Sequence, residues 1–276
     1  MNPAPQRHYV ALDAFRFIAA LGIVLHHCAI YADAMGWQSH VTMFDNFRLC
    51  VDFFFALSGF VLMHVHGSAI TSGSDYLRFL QKRLARISPL HALMVIVFIM
   101  LALAVAGRPM ATRIAPVLDP ATALPNLMLL HSFGVTQTLS LDFPSWSISA
   151  EWFLYLLFPT LAAFVLRIGP RGAIFAAIAF AMALALTRDA FDLRDWTRST
   201  FDFGMLRALP SFLAGIAVCV MVERAPPCAF HGRGFMRELV SSRSCFRPHP
   251  LPFRLPFFLS SSGSSLWPNV AARRRS

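Results

Sequence analysis

An arginine and a histidine occupy related positions in the first apolar stretch of the chain. Arg16 and His27 are eleven positions apart in the segment LDAFRFIAALGIVLHH. An α-helix has 3.6 residues per turn, so this spacing puts both side chains on one helix face, roughly 16 Å apart along the axis. A charged group at the bilayer centre costs several kcal/mol and usually faces a protein interior or a water-filled cavity. We therefore interpret both residues as functional groups that face a cavity.

The chemistry open to these two groups differs. A histidine titrates near neutral pH and can act as a general base toward a hydroxyl, whereas Arg16 stays protonated and can only bind or stabilise negative charge. The 16 Å between them excludes direct contact in a straight helix, so they act on different parts of a long ligand or across a channel. His26 points about 100° away from the shared face, which favours His27 as the base.

Asp13 lies three residues before Arg16, where an i,i+3 ion pair can hold the guanidinium. The alternative is that Arg16 and His27 have no chemical role and snorkel to opposite membrane interfaces.

The composition indicates a polytopic membrane protein. The chain has 276 residues, of which 57% are hydrophobic and 14% charged, whereas soluble domains carry about 25% charged residues. Its five cysteines are scattered without a CxxC pair, which predicts neither a disulfide framework nor a metal site. The net charge of +10 arises mostly in the C-terminal tail, so it does not argue for a nucleic-acid partner.

The hydrophobic pattern predicts an all-α transmembrane helix bundle of six or seven spans. The convincing apolar segments lie at about 11–31, 50–63, 90–106, 144–168, 173–186 and 205–222. Residues 124–133 are apolar but too short to cross a membrane alone. We expect residues 1–224 to form an incomplete membrane domain and residues 225–276, rich in Arg, Pro and Ser, to be a disordered tail. The abrupt change near residue 225 indicates a reading-frame change or a truncation.

A basic segment, YLRFLQKRLARISP, lies between the second and third predicted spans. It contains Lys82, Arg83 and Arg86, and the positive-inside rule places it, as a loop, on the cytoplasmic side. Two spans precede it, so the N-terminus is predicted to be cytoplasmic too. The segment is either a topology signal alone or a cradle for phosphate groups. The chain lacks a Walker loop and a Gly-rich dinucleotide fingerprint, so use of ATP or NAD is unsupported.

Two further acidic residues lie near predicted helix starts. Asp52 begins the second span, where it could cap the helix. Glu151 follows Trp146 and Ser147 in PSWSISAEWFLYLLFP, where it could pair with a basic residue or bind an acceptor. A helix-start acid stabilised by the helix dipole is an equally good explanation of Glu151.

Taken together, these segments resemble the acyltransferase 3 family of bacterial integral-membrane O-acyltransferases. The resemblance covers about residues 8–222 and rests on LDAFRFIAALGIVLHH, VDFFFALSGFVL, FLQKRLARISPL and SWSISAEWFLYLLFP in this order. It implies about ten spans in the bacterial inner membrane and no permanently bound cofactor. It also implies that acetyl-CoA or another acyl-CoA donates an acyl group on the cytoplasmic side. A sugar hydroxyl, often on a surface glycan, receives that group.

The resemblance also implies roles for individual residues. Arg16 and His27 match the arginine and histidine regarded as essential in the family, and Glu151 matches an acidic position after the Trp-Ser motif. Arg83 and Arg86 match the paired basic residues of the family's cytoplasmic loop, and Lys82 stands where an arginine is common; we expect these cations to hold the coenzyme. His26 departs from the family pattern, which usually has an apolar or aromatic residue there.

Two alternatives to an active enzyme follow from the same residues. Intramembrane Asp, Arg and His are also used by proton-coupled transporters, although no inverted repeat is evident. With only six or seven of about ten expected spans, the chain could also be an inactive remnant that merely inserts into the membrane.

Overall fold

The computed structural model describes residues 10–34, 41–67, 69–105, 119–138, 141–191 and 195–224. All regular elements in these ranges are helical, which confirms the predicted all-α fold. Six of the described helices are long and apolar enough to cross a membrane, so the protein is a multi-pass membrane protein. These six helices correspond to the six apolar segments predicted from the sequence. The predicted tail at 225–276 lies outside the described residues.

The helices follow one another along the chain with short 3₁₀ turns between them. They are α1 (Val10–Ala34), α2 (Val41–Phe44), a turn at Asp45–Leu49, α3 (Cys50–His66), α4 (Gly73–Val105), a turn at Pro120–Thr122, α5 (Ala123–Leu127), a turn at Phe143–Ser145, α6 (Trp146–Ile168), α7 (Pro170–Ala190), a turn at Trp196–Arg198, and α8 (Gly204–Arg224).

Helix α8 lies at the centre of the bundle and packs against α3, α6 and α7. Its closest partner is α3, because two glycines let the backbones meet. A methyl group added at Gly215 would overlap the carbonyl oxygen of Ala56, and one added at Gly59 would overlap that of Phe212. Small residues at such crossings allow close helix packing in membranes. The α3–α8 pair is therefore the frame on which the other helices are arranged.

Helix α4 corrects the prediction that the basic segment is a loop. The helix begins at Gly73 and continues for 33 residues through the basic segment and into the third span. Ser72 caps its N-terminus: the Asp75 backbone N–H donates to Ser72 Oγ at 3.2 Å, and the Ser72 hydroxyl donates to Asp75 Oδ2 at 2.7 Å. Leucine, glutamine, lysine and arginine are all good helix formers, so the polar half joins the apolar half without a break.

The doubtful seventh span does not cross the bundle. Residues 124–133 contain the end of the five-residue helix α5, followed by turns in which Leu129 takes a left-handed conformation with φ 57°. The segment is held against α4 by His91, whose Nε2–H donates to the Asn126 carbonyl oxygen at 2.8 Å. It is a short helix packed beside the start of α6.

Candidate active site

A cavity of about 820 Å³ opens among α1, α3, α6, α8 and the segments before α3 and α8. Its apolar wall includes Val51, Phe54, Phe55 and Trp146. Its polar lining brings together residues far apart in the sequence: His26, His27, Asp45, Arg48, Ser58, Ser147, Glu151, Arg198, Thr200 and Arg207. An apolar wall with a few convergent polar groups is typical of a small-molecule site.

Both histidines of α1 line this cavity, although a strict helical projection separates them. Their rings lie 5.4 Å apart, and His26 Nδ1 is 3.1 Å from the Phe44 carbonyl oxygen. A carbonyl can only accept, so Nδ1 of His26 carries the proton and Nε2 is left as the basic nitrogen. His26 is therefore a second candidate base beside His27.

Arg16 lies outside the cavity. Its side chain is 44% exposed and pairs with Asp13, whose Oδ1 is 3.4 Å from Arg16 Nη1. The i,i+3 pair expected from the sequence is thus present. Other elements cover the helix face that Arg16 shares with His27 only near the histidine. Within the part of the chain that the structure describes, His27 therefore lines the cavity and Arg16 does not.

Glu151 accepts two hydrogen bonds at the inner end of the cavity. Its Oε1 receives the Ser58 hydroxyl at 2.8 Å and the Tyr155 hydroxyl at 2.5 Å. Glu151 lies in the second turn of α6 and is partly buried, which makes it more than a helix-start acid. Ser147, one turn earlier, also lines the cavity.

A buried ion pair between α3 and α8 supports the cavity floor. Arg207 is 3% exposed and holds Asp52 through two contacts, Nη2 to Oδ2 at 2.7 Å and Nε to Oδ1 at 3.2 Å. Its guanidinium also lies 5.0 Å from the Trp146 ring centroid. Both carboxylate oxygens of Asp52 are engaged by Arg207, and the N-cap residue of the helix is Leu49, so Asp52 does not have the capping role that was the simpler expectation.

Sequence reasoning missed Arg207, although a signal was available. The residue sits in the apolar run GMLRALPSFL, and an arginine in such a run is costly unless it is paired. It also missed Arg48 and Arg198, which meet at the cavity mouth. Asp45 receives Arg48 Nη1 at 2.6 Å and Arg198 Nη2 at 2.5 Å, and it links two segments 153 positions apart.

The basic segment lies at the opposite end of the bundle. Along α3, Asp52 and His66 are separated by roughly 21 Å of helix rise. Arg83 Nη2 donates to His66 Nε2 at 2.9 Å, and the guanidinium lies 5.6 Å from the ring centroids of both Phe79 and Tyr155. Lys82 and Arg86 are exposed. We call this region the basic end and the opposite region the cavity end.

Tyr155 connects the two ends. Its hydroxyl donates to Glu151, which lines the cavity, and its ring lies beside Arg83 of the basic segment. Tyr155 was not among the site residues predicted from the sequence. Glu151 and Arg83, both predicted as site residues, are thus linked through one intervening side chain.

A buried polar cluster anchors the start of α6 behind the cavity. The His91 and His131 rings stack with centroids 5.6 Å apart, and His131 Nε2 lies 3.1 Å from Ser145 Oγ. The Ser145 hydroxyl donates to the Asp142 carbonyl oxygen at 2.5 Å, so the His131 nitrogen must donate to Ser145. Burial lowers the pKa of His131 to about 4 and raises the pKa of the Asp142 carboxyl.

Comparison with known proteins decides the family. The sequence profile of the acyltransferase 3 family, described as an acyltransferase domain, matches residues 9–226. The chain belongs to the acyltransferase 3 family. It is therefore a membrane acyltransferase that transfers groups other than aminoacyl groups, as predicted.

Two curated proteins are similar to this acyltransferase. Protein 2 in the picA locus of Rhizobium radiobacter is 35% identical over 164 residues, which cover 55% of this chain and 81% of that protein. Acyltransferase MdmB of Streptomyces mycarofaciens is 30% identical over 172 residues, which cover 58% of this chain and 41% of MdmB. The chain thus spans less than half the length of MdmB. No solved structure matches it.

Proposed function

We propose that this acyltransferase moves an acyl group, acetyl in the simplest case, from acyl-CoA to a hydroxyl of a sugar on a surface glycan. The proposal places it in the bacterial inner membrane with its N-terminus and basic end in the cytoplasm, as the positive-inside rule predicts. The observation that carries the proposal is the continuous set of polar side chains from Arg83 through Tyr155 and Glu151 into a cavity lined by two histidines.

The donor would bind at the basic end. Lys82, Arg83 and Arg86 occupy one turn of α4, and exposed cations next to the membrane suit the phosphates of a coenzyme. The nucleotide of acyl-CoA is separated from the thioester by a long flexible arm, so the phosphates can stay near Arg83 while the thioester reaches toward Glu151. Arg16, which lies outside the cavity and pairs with Asp13, would contact another part of such an extended ligand.

The acceptor hydroxyl would bind in the cavity. In the transfer step a ring nitrogen of His27 takes the hydroxyl proton, and the oxygen attacks the thioester carbonyl. The carbon–sulfur bond then breaks, and the coenzyme thiolate recovers the proton from the imidazolium. Glu151 and Ser147 line the same space and can position the acceptor, while Asp52 and Trp146 hold Arg207 in the wall behind it.

Transfer of label from radiolabelled acetyl-CoA to the glycan fraction of membranes tests the proposal. We expect His27→Ala to lower the rate about 10²–10⁴-fold, because a positioned base contributes that much. Cys28→Ala is the matched control, since the neighbouring residue is exposed and does not line the cavity. Full transfer by His27→Ala with reduced transfer by His26→Ala would reassign the base. Equal transfer by all three variants would refute a histidine base, and proton-coupled flux without product would indicate a transporter.

A further inference from the structure

A second group of chemically active side chains lies away from the cavity, at the basic end of the α3–α8 pair. His64 is in the last turn of α3, and Cys219 and Glu223 are four residues apart near the end of α8. One ligand atom from each of these residues lies within 4.8 Å of the other two. We propose that His64, Cys219 and Glu223 form a zinc site that joins the ends of α3 and α8. The proposal does not depend on the acyl-transfer reaction.

The donor types fit zinc. Imidazole nitrogen, thiolate sulfur and carboxylate oxygen are its three usual protein ligands, and thiolate disfavours the hard cations magnesium and calcium. Binding breaks the Cys219 S–H bond, forms a Zn–S bond and releases the proton to the buffer. The thiolate and the Glu223 carboxylate then carry two negative charges, which balance the charge of one Zn²⁺ ion.

The distances fit a tetrahedral centre. With Zn–S at about 2.3 Å and Zn–N and Zn–O at about 2.0 Å, neighbouring ligand atoms are roughly 3.3–3.6 Å apart. His64 Nδ1 is 3.2 Å from Glu223 Oε1, and Cys219 Sγ is 3.5 Å from the same oxygen. Two of the three edges are therefore close to the length that zinc requires, and the third, between His64 and Cys219, is within 4.8 Å and must shorten by at most about 1.3 Å.

The surroundings hold the ligands in place on both helices. The His64 ring stacks on the ring of Phe60, one helical turn earlier in α3, with an interplanar angle of 19°. This contact orients the imidazole. Cys219 is fully buried, so its sulfur is fixed by the packing of α8. His64 and Glu223 are partly exposed, which gives an ion a path from solvent and leaves a fourth position for water.

Cobalt binding to the full chain in detergent tests the site. The parent protein carries Cys228→Ser and Cys245→Ser, so that only the cysteines of the described helices can donate a thiolate. We expect Co²⁺ to produce a thiolate-to-cobalt charge-transfer band that Zn²⁺ removes. The band should disappear in Cys219→Ser and persist in the matched controls Cys28→Ser and Cys50→Ser.

Zinc affinity supplies the second readout. Loss of a residue that hydrogen-bonds to a metal ligand typically costs about 10–100-fold in metal affinity, and loss of a direct ligand should cost at least as much. We therefore expect His64→Gln and Glu223→Gln each to weaken Zn²⁺ binding by about 100-fold or more. Thermal melting of each variant without metal shows whether it has folded. If the parent gives no band and Zn²⁺ does not raise its melting temperature, the proposal is refuted and the group is an ion pair only. A band that persists in Cys219→Ser also refutes it.

Discussion

The two ends of the bundle hold their arginines in different ways. At the cavity end all three arginines contact carboxylates: Arg48 and Arg198 share Asp45, and the buried Arg207 pairs with Asp52. At the basic end Arg83 is held by a histidine and two aromatic rings, and its neighbours Lys82 and Arg86 are exposed.

The difference indicates two functions for the same residue type. A guanidinium that already has its carboxylate contributes to the structure, because another anion would have to replace that partner. A guanidinium stacked on rings and bonded to a neutral nitrogen keeps its charge available to a ligand. We therefore expect substitutions at the cavity end to change stability first, and those at the basic end to change donor binding first.

The largest effect on stability is expected from the buried ion pair. Arg207→Ala leaves the Asp52 carboxylate without its partner, and removing one member of a buried pair typically costs about 3–5 kcal/mol. The double variant Asp52→Leu with Arg207→Met should recover much of this loss, because apolar residues of similar volume often replace a buried pair without penalty. Thermal melting in detergent measures both. If the double variant is as unstable as Arg207→Ala, the unpaired Asp52 carboxylate is not the cause of the lost stability.

The buried His131 makes the cavity end sensitive to acid. Its pKa is about 4 in the fold and about 6.5 in the unfolded chain, so the unfolded state binds a proton first as pH falls. Stability should therefore be complete above pH 6.5 and fall between pH 6.5 and 4 by at most about 3 kcal/mol. His131→Gln keeps a donor for Ser145 but does not titrate in this range. Its melting temperature should change less over the interval, and an equal change in both proteins would exclude His131.

The α3–α8 crossing should be intolerant of added volume. Gly215→Ala would place a methyl group on the Ala56 carbonyl oxygen, so the two backbones must separate, and overpacking of this kind costs about 1–3 kcal/mol. Gly73→Ala is the matched control, since an added methyl group there meets no atom within 4 Å. We expect a lower melting temperature for the first variant and an unchanged or slightly higher one for the second. Equal melting temperatures would show that the crossing can relax freely.

The helices were well predicted from the sequence because membrane spans are long apolar runs. Inside a bilayer the backbone N–H and C=O groups of such a run must bond to each other, so the run forms a helix. Five of the six predicted spans agree with the observed helices to within a few residues. The exception is α4, whose basic half was interpreted as a loop between two spans because the third span was taken to begin only with the apolar run after Pro89. Ser72 and Asp75, with good helix formers after them, were the local signal for a helix.

The candidate site was harder to predict because its contacts join distant segments. His27 and Glu151 were identified within their own helices and do line one cavity. Arg16 was placed by helical spacing on the same face as His27, but a face becomes a cavity only where other elements cover it. Arg207 and Asp52 are 155 positions apart, and no local pattern reveals such a pair. The roles of all these residues in acyl transfer remain predictions.

The smallest and most specific effect is expected at the basic end, and it depends on the proposed function. Arg83→Ala should raise the KM for acetyl-CoA about tenfold, the value of one hydrogen bond to a charged group, and change kcat and melting temperature little. Arg171→Ala is the matched control, because Arg171 is an exposed arginine in the first turn of α7. If Arg83→Ala instead lowers the melting temperature with an unchanged KM, Arg83 is a structural residue like Arg207. The contrast between the two ends would then be lost, even if transfer itself is intact.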